Sequence, residues 1–187
     1  IIEKIQPEVI INCAAETHID SEDMLEYRTN TQGVENVLYA IVKAGSVTKL
    51  FHFSSMLVYK YGSKKSSPDT LYGLSKKVGE DLIIDFEKKI GCTTSVEILR
   101  PSSVLGSTMT NKGYRKFNRI VAIGFLPTCV LSFARKPFVF ANSICDYING
   151  KVLDKSCHSK APIAISYCVD CVINLGEYAQ FYAESHG

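Results

Sequence analysis

Apolar residues in the N-terminal half of the chain follow two different patterns of spacing. In the first, they follow one another in continuous runs, which occur at Pro7–Ala15, Lys49–Ser55 and Ser95–Leu99. The run at Pro7–Ala15 is rich in β-branched residues and ends in small ones, which is typical of a strand buried on both faces of a parallel sheet. We predict three strands at these positions, the first two of them buried.

The second spacing is helical and lies between the predicted strands. It covers Asn30–Ala44 and Thr70–Ile90. Apolar side chains share one face at Val34, Val37, Leu38, Ile41 and Val42 in the first segment, and at Val78, Leu82, Ile83 and Phe86 in the second. Gly45 and Gly91 follow where a C-terminal cap belongs. Because strand and helix alternate, the sequence predicts right-handed crossover units and half of a doubly wound α/β fold.

The pattern is weaker after Gly106. We predict a short strand and three helices in this part, at Pro137–Ala141, Gly113–Ile123, Ser143–Val152 and Asn174–His186. The composition shifts near Gly106–Asn111. We therefore predict two domains, 1–107 and 108–187.

The overall composition narrows the class of protein. Of the 187 residues, 46% are hydrophobic and 21% are charged, which is typical of a globular protein. The net charge of +2 is spread along the chain and argues for neither nucleic acid nor membrane as a partner. Small polar ligands are the expected partners.

Seven cysteines are an odd number in a chain too large to need disulfides, and no secretory leader precedes them. We expect reduced thiols and a cytoplasmic location. Cys168 and Cys171 form a single close pair, with Cys157 and His158 as the other candidate ligands. One such pair is too few for a structural zinc site, so we predict no metal.

Candidate chemistry follows from one pair of side chains and one hydroxyl. Tyr72 and Lys76 are four residues apart on a predicted helix and share a face. An ammonium beside a phenol favours phenolate, so we expect the pKa of Tyr72 to be lowered toward the range useful for proton transfer. Ser55 follows the second strand, where ligands of a parallel sheet bind. The three groups suffice for the oxidation of an alcohol.

Five stretches carry a resemblance to a known family. They are Val9–Ala15, Asn30–Leu38, Phe53–Tyr59, Leu71–Lys77, and Leu99–Pro101 with Val104–Gly106. In this order they resemble the extended short-chain dehydrogenase/reductases, which include nucleotide-sugar epimerases, dehydratases and reductases. The resemblance implies a Rossmann-like doubly wound parallel sheet. It makes 1–107 a partial NAD(P)-binding domain and 108–187 a partial, small mixed α/β substrate domain.

The resemblance also implies roles for matched residues. Ser55 would polarise a substrate hydroxyl, Tyr72 would be the base, and Lys76 would hold the nicotinamide ribose of NAD or NADP. Residues implied to contact or brace the cofactor site are Cys13, Ala14, Ala15, Asn30, Ser54, Tyr72, Lys76, Pro101 and Ser102. Residues implied to contact a nucleotide-sugar substrate are Ser55, Met56, Ser103, Arg115 and Arg119. For the two arginines a solvated basic face is the alternative, and for Asn30 a helix cap.

The same resemblance bears on the reaction. Ala15–Asp20 resembles the corresponding stretch of the nucleotide-sugar 4,6-dehydratases. However, the Asp-Glu pair that follows the catalytic hydroxyl in those enzymes is replaced by Met56 and Leu57, which have no acid or base function. We therefore favour a 4-epimerase. A reductase or dehydratase of the same family and an inactive regulatory protein are the alternatives.

The chain departs from the family pattern in two ways. No Gly-x-x-Gly-x-x-Gly occurs in the chain, and the first residue is Ile. We expect the first strand–helix units, with the residue that selects NAD or NADP, to be missing from this segment. Asn30–Ala44 and Thr70–Ile90 are the candidate surfaces for a homodimer.

Overall fold

The chain was examined in a computed structural model, in which residues 1–60, 67–90, 94–106, 119, 134–154, 163–177 and 180 are described. These residues group into two compact units. The first comprises Ile1–Pro101 and Ile148–Cys168, and the second comprises Ser102–Tyr147 and Val169–Gly187. The predicted domain limits, 1–107 and 108–187, stay a prediction.

The first unit contains a parallel sheet. Its strands are β1 (Val9–Asn12), β2 (Lys49–Phe53), β3 (Ser95–Pro101) and β6 (Ala164–Cys168), in the order β1-β2-β3-β6. All three strand pairs are parallel, so the carboxyl ends of the strands lie at one edge. The α/β fold with a parallel sheet is thus confirmed.

A short helix, α1 (Ile2–Ile5), precedes β1. Helix α2 (Gln32–Ala44) connects β1 to β2 and helix α3 (Leu71–Ile90) connects β2 to β3, with two 3-10 turns at Met24–Asn30 and Met56–Val58. Helix α2 ends at Gly45, whose φ of 68° is in the left-handed region that glycine adopts without strain, and whose N–H donates to the Ile41 carbonyl.

The core of the first unit lies between the sheet and the helices α2 and α3. Its buried members are Val34, Leu38 and Ile41 from α2, Ile83 from α3, Leu50 from β2, Val96 and Ile98 from β3, and the loop residue Val47. Leu82 and Phe86 pack against this cluster, so the predicted apolar face of α3 is the face that packs on the sheet. Burial of this face holds the N-terminal turns of α3 over the carboxyl ends of the strands.

The second unit contains a smaller sheet. Strands β4 (Ser103–Leu105) and β5 (Arg135–Phe140) are parallel, and β7 (Cys171–Asn174) pairs with β5 in the antiparallel direction. Helix α4 (Ala141–Leu153) follows β5 directly.

Several predicted elements differ from the structure. Ile11 is 49% exposed in β1, which is an edge strand of the described sheet, so the predicted burial of this strand on both faces is wrong. Val42 is also exposed, at the border of the apolar face of α2. Asn174 ends β7 rather than lying inside a helix, and its side chain accepts hydrogen bonds from the N–H groups of Gly176 and Glu177, as a helix cap does.

Other differences are omissions or lie outside the described residues. The sequence analysis did not predict β4, β6 and β7, which are short strands with exposed positions and weak periodicity. Gly91 lies outside the described residues, as does the predicted helix at Gly113–Ile123 apart from Arg119. No helix in the described part of the chain is both long and apolar enough to cross a membrane.

Candidate active site

Two serines follow β2 at the carboxyl edge of the parallel sheet. Ser54 and Ser55 are both buried. The Ser55 hydroxyl accepts a hydrogen bond of 3.1 Å from the Leu57 N–H and so caps the Met56–Val58 turn. Because β2 ends at Phe53 and the 3-10 turn begins at Met56, Ser55 lies between the strand end and this turn.

Helix α3 brings Tyr72 and Lys76 to the same place. Both side chains are buried in the first two turns of the helix. A Cβ at Gly73 would lie 2.2 Å from the Leu57 carbonyl oxygen, a distance no side chain tolerates. Glycine at this position therefore allows α3 to contact the turn that Ser55 caps, and this contact brings Tyr72 toward Ser55.

The phenol of Tyr72 interacts with the Ser55 hydroxyl, and the balance of effects raises its pKa. Burial raises the pKa of Tyr72 above its usual 10.0, the hydrogen-bonding interaction with Ser55 lowers it in part, and nearby Tyr27 raises it again. The predicted lowering by Lys76 is therefore wrong for this structure, because loss of hydration outweighs any favourable charge effect.

Lys76 is buried, and no carboxylate of the described residues is in hydrogen-bond contact with it. Its Nζ donates a hydrogen bond of 2.9 Å to the Phe53 carbonyl oxygen, at the end of β2. Burial lowers the pKa of Lys76 from 10.5 to about 8, while Cys13 and Glu80 act in the opposite direction. An ammonium has three N–H donors, so Lys76 retains the capacity to bind further oxygen atoms.

Asn30 holds the loop after β1 against α3. Its side chain exchanges two hydrogen bonds of 2.9 Å with the backbone of Glu16 and donates a third, also of 2.9 Å, to the Ser75 hydroxyl. Ser75 in turn donates to the Tyr72 carbonyl. Asn30 is thus a brace and not a cap of α2, whose N-cap is Thr31. The small residues Cys13, Ala14 and Ala15, predicted to contact the cofactor, lie in this braced loop, the first two exposed.

A buried amide–imidazole pair lies beneath this loop. The Ala14 N–H donates to Asn12 Oδ1, so the Asn12 amide nitrogen donates to His52 Nδ1 at 3.2 Å and the ring proton is on Nε2. Burial, with Lys76 as a second cause, lowers the pKa of His52 to about 3, so the ring is neutral. Within the described residues, Nε2 has no hydrogen-bond partner.

A buried ion pair lies one turn further along α3. Glu80 is fully buried and accepts hydrogen bonds from Arg100 and from the Ser54 hydroxyl. The sequence analysis named Arg100 only as part of a matched stretch and did not single out Glu80. The available signal was a carboxylate four residues after Lys76, on the buried face of the helix.

The remaining predicted site residues are not all brought to this edge. Pro101 ends β3 at the carboxyl edge, and Met56 begins the turn capped by Ser55. Ser102 and Ser103 belong to the second unit, where the buried Ser102 hydroxyl has no partner among the described residues. Arg119 is exposed, and Arg115 lies outside the described residues.

The described part of the chain contains no group of three or more His, Cys, Asp or Glu side chains that could hold a metal ion. The polar side chains around the end of β2 include the Ser55 hydroxyl, the Tyr72 phenol and the Lys76 ammonium.

Comparison with known protein families gives a match over most of the chain. The sequence model of the NAD dependent epimerase/dehydratase family matches residues 1–124, which include the whole of the candidate site in the first unit.

Two curated enzymes are similar in sequence. The first is N-acetyl-alpha-D-glucosaminyl-diphospho-ditrans,octacis-undecaprenol 4-epimerase of Escherichia coli O157:H7, 30% identical over 128 residues, which are 64% of this chain and 38% of that enzyme. The second is dTDP-4-dehydrorhamnose reductase of Aggregatibacter actinomycetemcomitans, 33% identical over 99 residues, which are 48% of this chain and 33% of that enzyme. The matched part thus spans 38% of the first relative and 33% of the second.

Solved structures show the same fold. The Bordetella bronchiseptica enzyme WbmG, solved with NAD, has a TM-score of 0.77 at 22% identity, over 100% of this chain and 58% of that one. UDP-N-acetylglucosamine 4-epimerase from Bacillus cereus has a TM-score of 0.71 at 15% identity, over 96% of this chain and 65% of that one.

Proposed function

The chain belongs to the NAD-dependent epimerase/dehydratase family, and from this premise we propose that the full-length gene product epimerises a nucleotide-activated sugar at C4 with NAD or NADP as cofactor. The observation that carries the proposal is the convergence of Ser55, Tyr72 and Lys76 at the end of β2. The Ser55 hydroxyl is near enough to the Tyr72 phenol to lower its pKa in part, and Lys76 is buried one turn further along α3.

The roles proposed for the three residues follow from their surroundings. The Ser55 hydroxyl donates a hydrogen bond to the substrate hydroxyl or accepts one from it, and so orients this group. Tyr72 takes the hydroxyl proton, and Lys76 stabilises the phenolate that results. Because the pKa of Tyr72 is raised in the free site, the positive charge of Lys76 is needed at the moment of proton transfer.

The site fits the nicotinamide half of the cofactor. Lys76 has donors beyond its hydrogen bond to Phe53, and the exposed residues Cys13 and Ala14 leave room for a ring at the strand ends. A nicotinamide bound here would supply the hydride acceptor for the carbon that bears the hydroxyl. The 187 residues contain no glycine-rich phosphate loop, so the fit applies to this half alone.

The choice of epimerisation is supported by two observations. Met56 and Leu57 stand directly after Ser55, so this turn provides no carboxyl group for the elimination of water. One of the similar enzymes is a 4-epimerase. The second candidate is a reductase, since the other similar enzyme acts on dTDP-4-dehydrorhamnose.

We also propose that the protein is cytoplasmic and that α2 and α3 form a homodimer surface. Tyr39 and Val42 on α2 and Leu74 on α3 are large apolar residues that are exposed in the single chain. Sedimentation of the full-length gene product tests this assembly, and a monomer at micromolar concentration contradicts it.

The test of the reaction is turnover of UDP- and dTDP-activated sugars by the full-length gene product. An epimerase interconverts two sugars without net use of reduced cofactor, whereas a reductase consumes one reduced cofactor for each product. In Tyr72→Phe we expect turnover to fall by about 10²–10⁴ while the melting temperature changes little, because only the ionisable oxygen is removed.

Tyr147→Phe is the matched control, because it removes the same atom from an exposed tyrosine on α4, outside the proposed dimer surface. It should keep wild-type turnover. Full activity of Tyr72→Phe contradicts the assigned base, and a wild-type protein that transforms none of these sugars supports the regulatory alternative.

A further inference from the structure

The carboxylate of Glu80 is held on both of its oxygens. Arg100 donates from Nε to Oε1 at 2.9 Å and from Nη2 to Oε2 at 2.5 Å. The guanidinium lies between the rings of Tyr59 and Tyr167, at 5.0 and 5.3 Å from their centroids, and also donates to the Tyr167 hydroxyl. A planar group fixed in this way orients the carboxylate it binds.

The Ser54 hydroxyl provides a third hydrogen bond to this carboxylate. It donates a hydrogen bond of 2.5 Å to Glu80 Oε1, and the Ser54 N–H donates to the Leu99 carbonyl at 2.7 Å. The residue is therefore held by its side chain to α3 and by its backbone to β3. Its rotation is restricted on two sides.

Ser54 stands between two parts of the candidate site. The residue before it, Phe53, provides the carbonyl that accepts from Lys76, and the residue after it, Ser55, provides the hydroxyl that interacts with Tyr72. Any rotation of the backbone at Ser54 displaces both groups. Displacements of about 0.5 Å are enough to impair a site of this kind.

We propose that Glu80 is a positioning residue for the active site, which acts through the Ser54 hydroxyl and is itself oriented by Arg100. The proposal rests on the function proposed above. In a purely structural role the ion pair of Glu80 with Arg100 would affect stability alone. In the role proposed here, loss of the hydrogen bond from Ser54 to Glu80 lowers turnover even when the ion pair is intact.

The variant that separates the two roles is Ser54→Ala. It removes the hydrogen bond to Glu80 and leaves both hydrogen bonds from Arg100 in place. Because the substrate contacts themselves remain, we expect kcat to fall about tenfold or more with KM within about twofold, as when a reacting group is misplaced. Ser54→Thr restores a hydroxyl and should recover most of kcat.

Thr94→Val is the matched control. Thr94 is also buried and donates its hydroxyl to a backbone carbonyl, that of Val47, at the amino end of β3. Thr94→Val should lose about as much stability as Ser54→Ala and keep the wild-type kcat. Equal kcat in Ser54→Ala, Ser54→Thr and the wild type overturns the proposal.

A crystal structure of Ser54→Ala decides the matter independently of turnover. A shift of Ser55 Oγ or of the Phe53 carbonyl by about 0.5 Å or more relative to Tyr72 supports the positioning role, and an unchanged geometry overturns it. If the wild type transforms no nucleotide sugar, the proposed function fails, while this comparison of structures still gives its own result.

Discussion

Helix α3 carries two buried charged groups one turn apart, and their surroundings differ. Glu80 is paired with Arg100 and receives a further hydrogen bond from Ser54. Lys76 is hydrogen-bonded to the neutral carbonyl of Phe53, and burial lowers its pKa to about 8. The same helix and a similar depth of burial thus give one fully compensated charge and one poorly compensated charge.

The difference separates stability from chemistry. A compensated buried charge is costly to disturb, because removal of one partner leaves the other charge without solvent. A poorly compensated charge destabilises the fold, and such groups are found where a ligand or a reaction uses them. We therefore expect substitutions at Arg100 to lower stability and substitutions at Lys76 to lower activity.

The largest expected effect is the loss of stability when the ion pair between Arg100 and Glu80 is broken. Arg100→Met leaves the Glu80 carboxylate buried without its cation, and we expect the free energy of unfolding to fall by about 3–5 kcal/mol. Urea denaturation of the full-length gene product measures this loss. The double variant Glu80→Gln with Arg100→Met should recover part of it, because no buried charge remains. If the free energy of unfolding of the single variant falls by less than about 1 kcal/mol, this pair contributes no more than a weak surface ion pair does.

The second prediction concerns Lys76. Lys76→Met keeps the length and apolar stem of the side chain but removes the charge, so we expect kcat/KM to fall by about a hundredfold or more. The free energy of unfolding should stay constant or rise, because a poorly compensated charge is lost. Lys77→Met is the control, since Lys77 pairs with Asp81 on the more exposed side of α3. If Lys76→Met is destabilised but keeps its activity, the expectation that Lys76 serves the reaction rather than the stability of the fold is contradicted.

The smallest effect is a pH dependence of stability. The pKa of Lys76 is about 8 in the fold and 10.5 as its reference value. Between these values the unfolded chain retains a proton that the folded chain has released, so stability rises with pH in this window. We expect Lys76 to contribute an increase of about 1–3 kcal/mol across it. The difference between wild type and Lys76→Met, measured by urea denaturation from about pH 8 to about pH 10, isolates this contribution. A flat difference would show that Lys76 is not destabilised by burial.

Much of the first unit follows from local pattern. Strands β1, β2 and β3 and helices α2 and α3 were predicted to within a few residues, because apolar periodicity is a property of neighbouring positions. The short strand β6 was not predicted. It has exposed alternate positions, and only its pairing with β3 in the parallel sheet makes it a strand.

The candidate site was only partly accessible from sequence. The spacing of Tyr72 and Lys76 places them on one face of any helix, and their burial agrees with that expectation. The direction of the Tyr72 pKa was wrong, because the effect of burial depends on all the elements that cover the phenol. Their catalytic roles stay predictions.

By itself, the sequence determined the alternation of strands and helices, the helical register of Tyr72 with Lys76, and the family to which the chain belongs. The tertiary structure decided which polar groups are compensated. The contact between Arg100 and Glu80 joins residues 20 positions apart, and the contact between Asn30 and Ser75 joins residues 45 positions apart. Such contacts depend on how helices pack on the sheet, which periodicity does not specify, and they distinguish the buried charge that is compensated by its partners from the one that is poorly compensated.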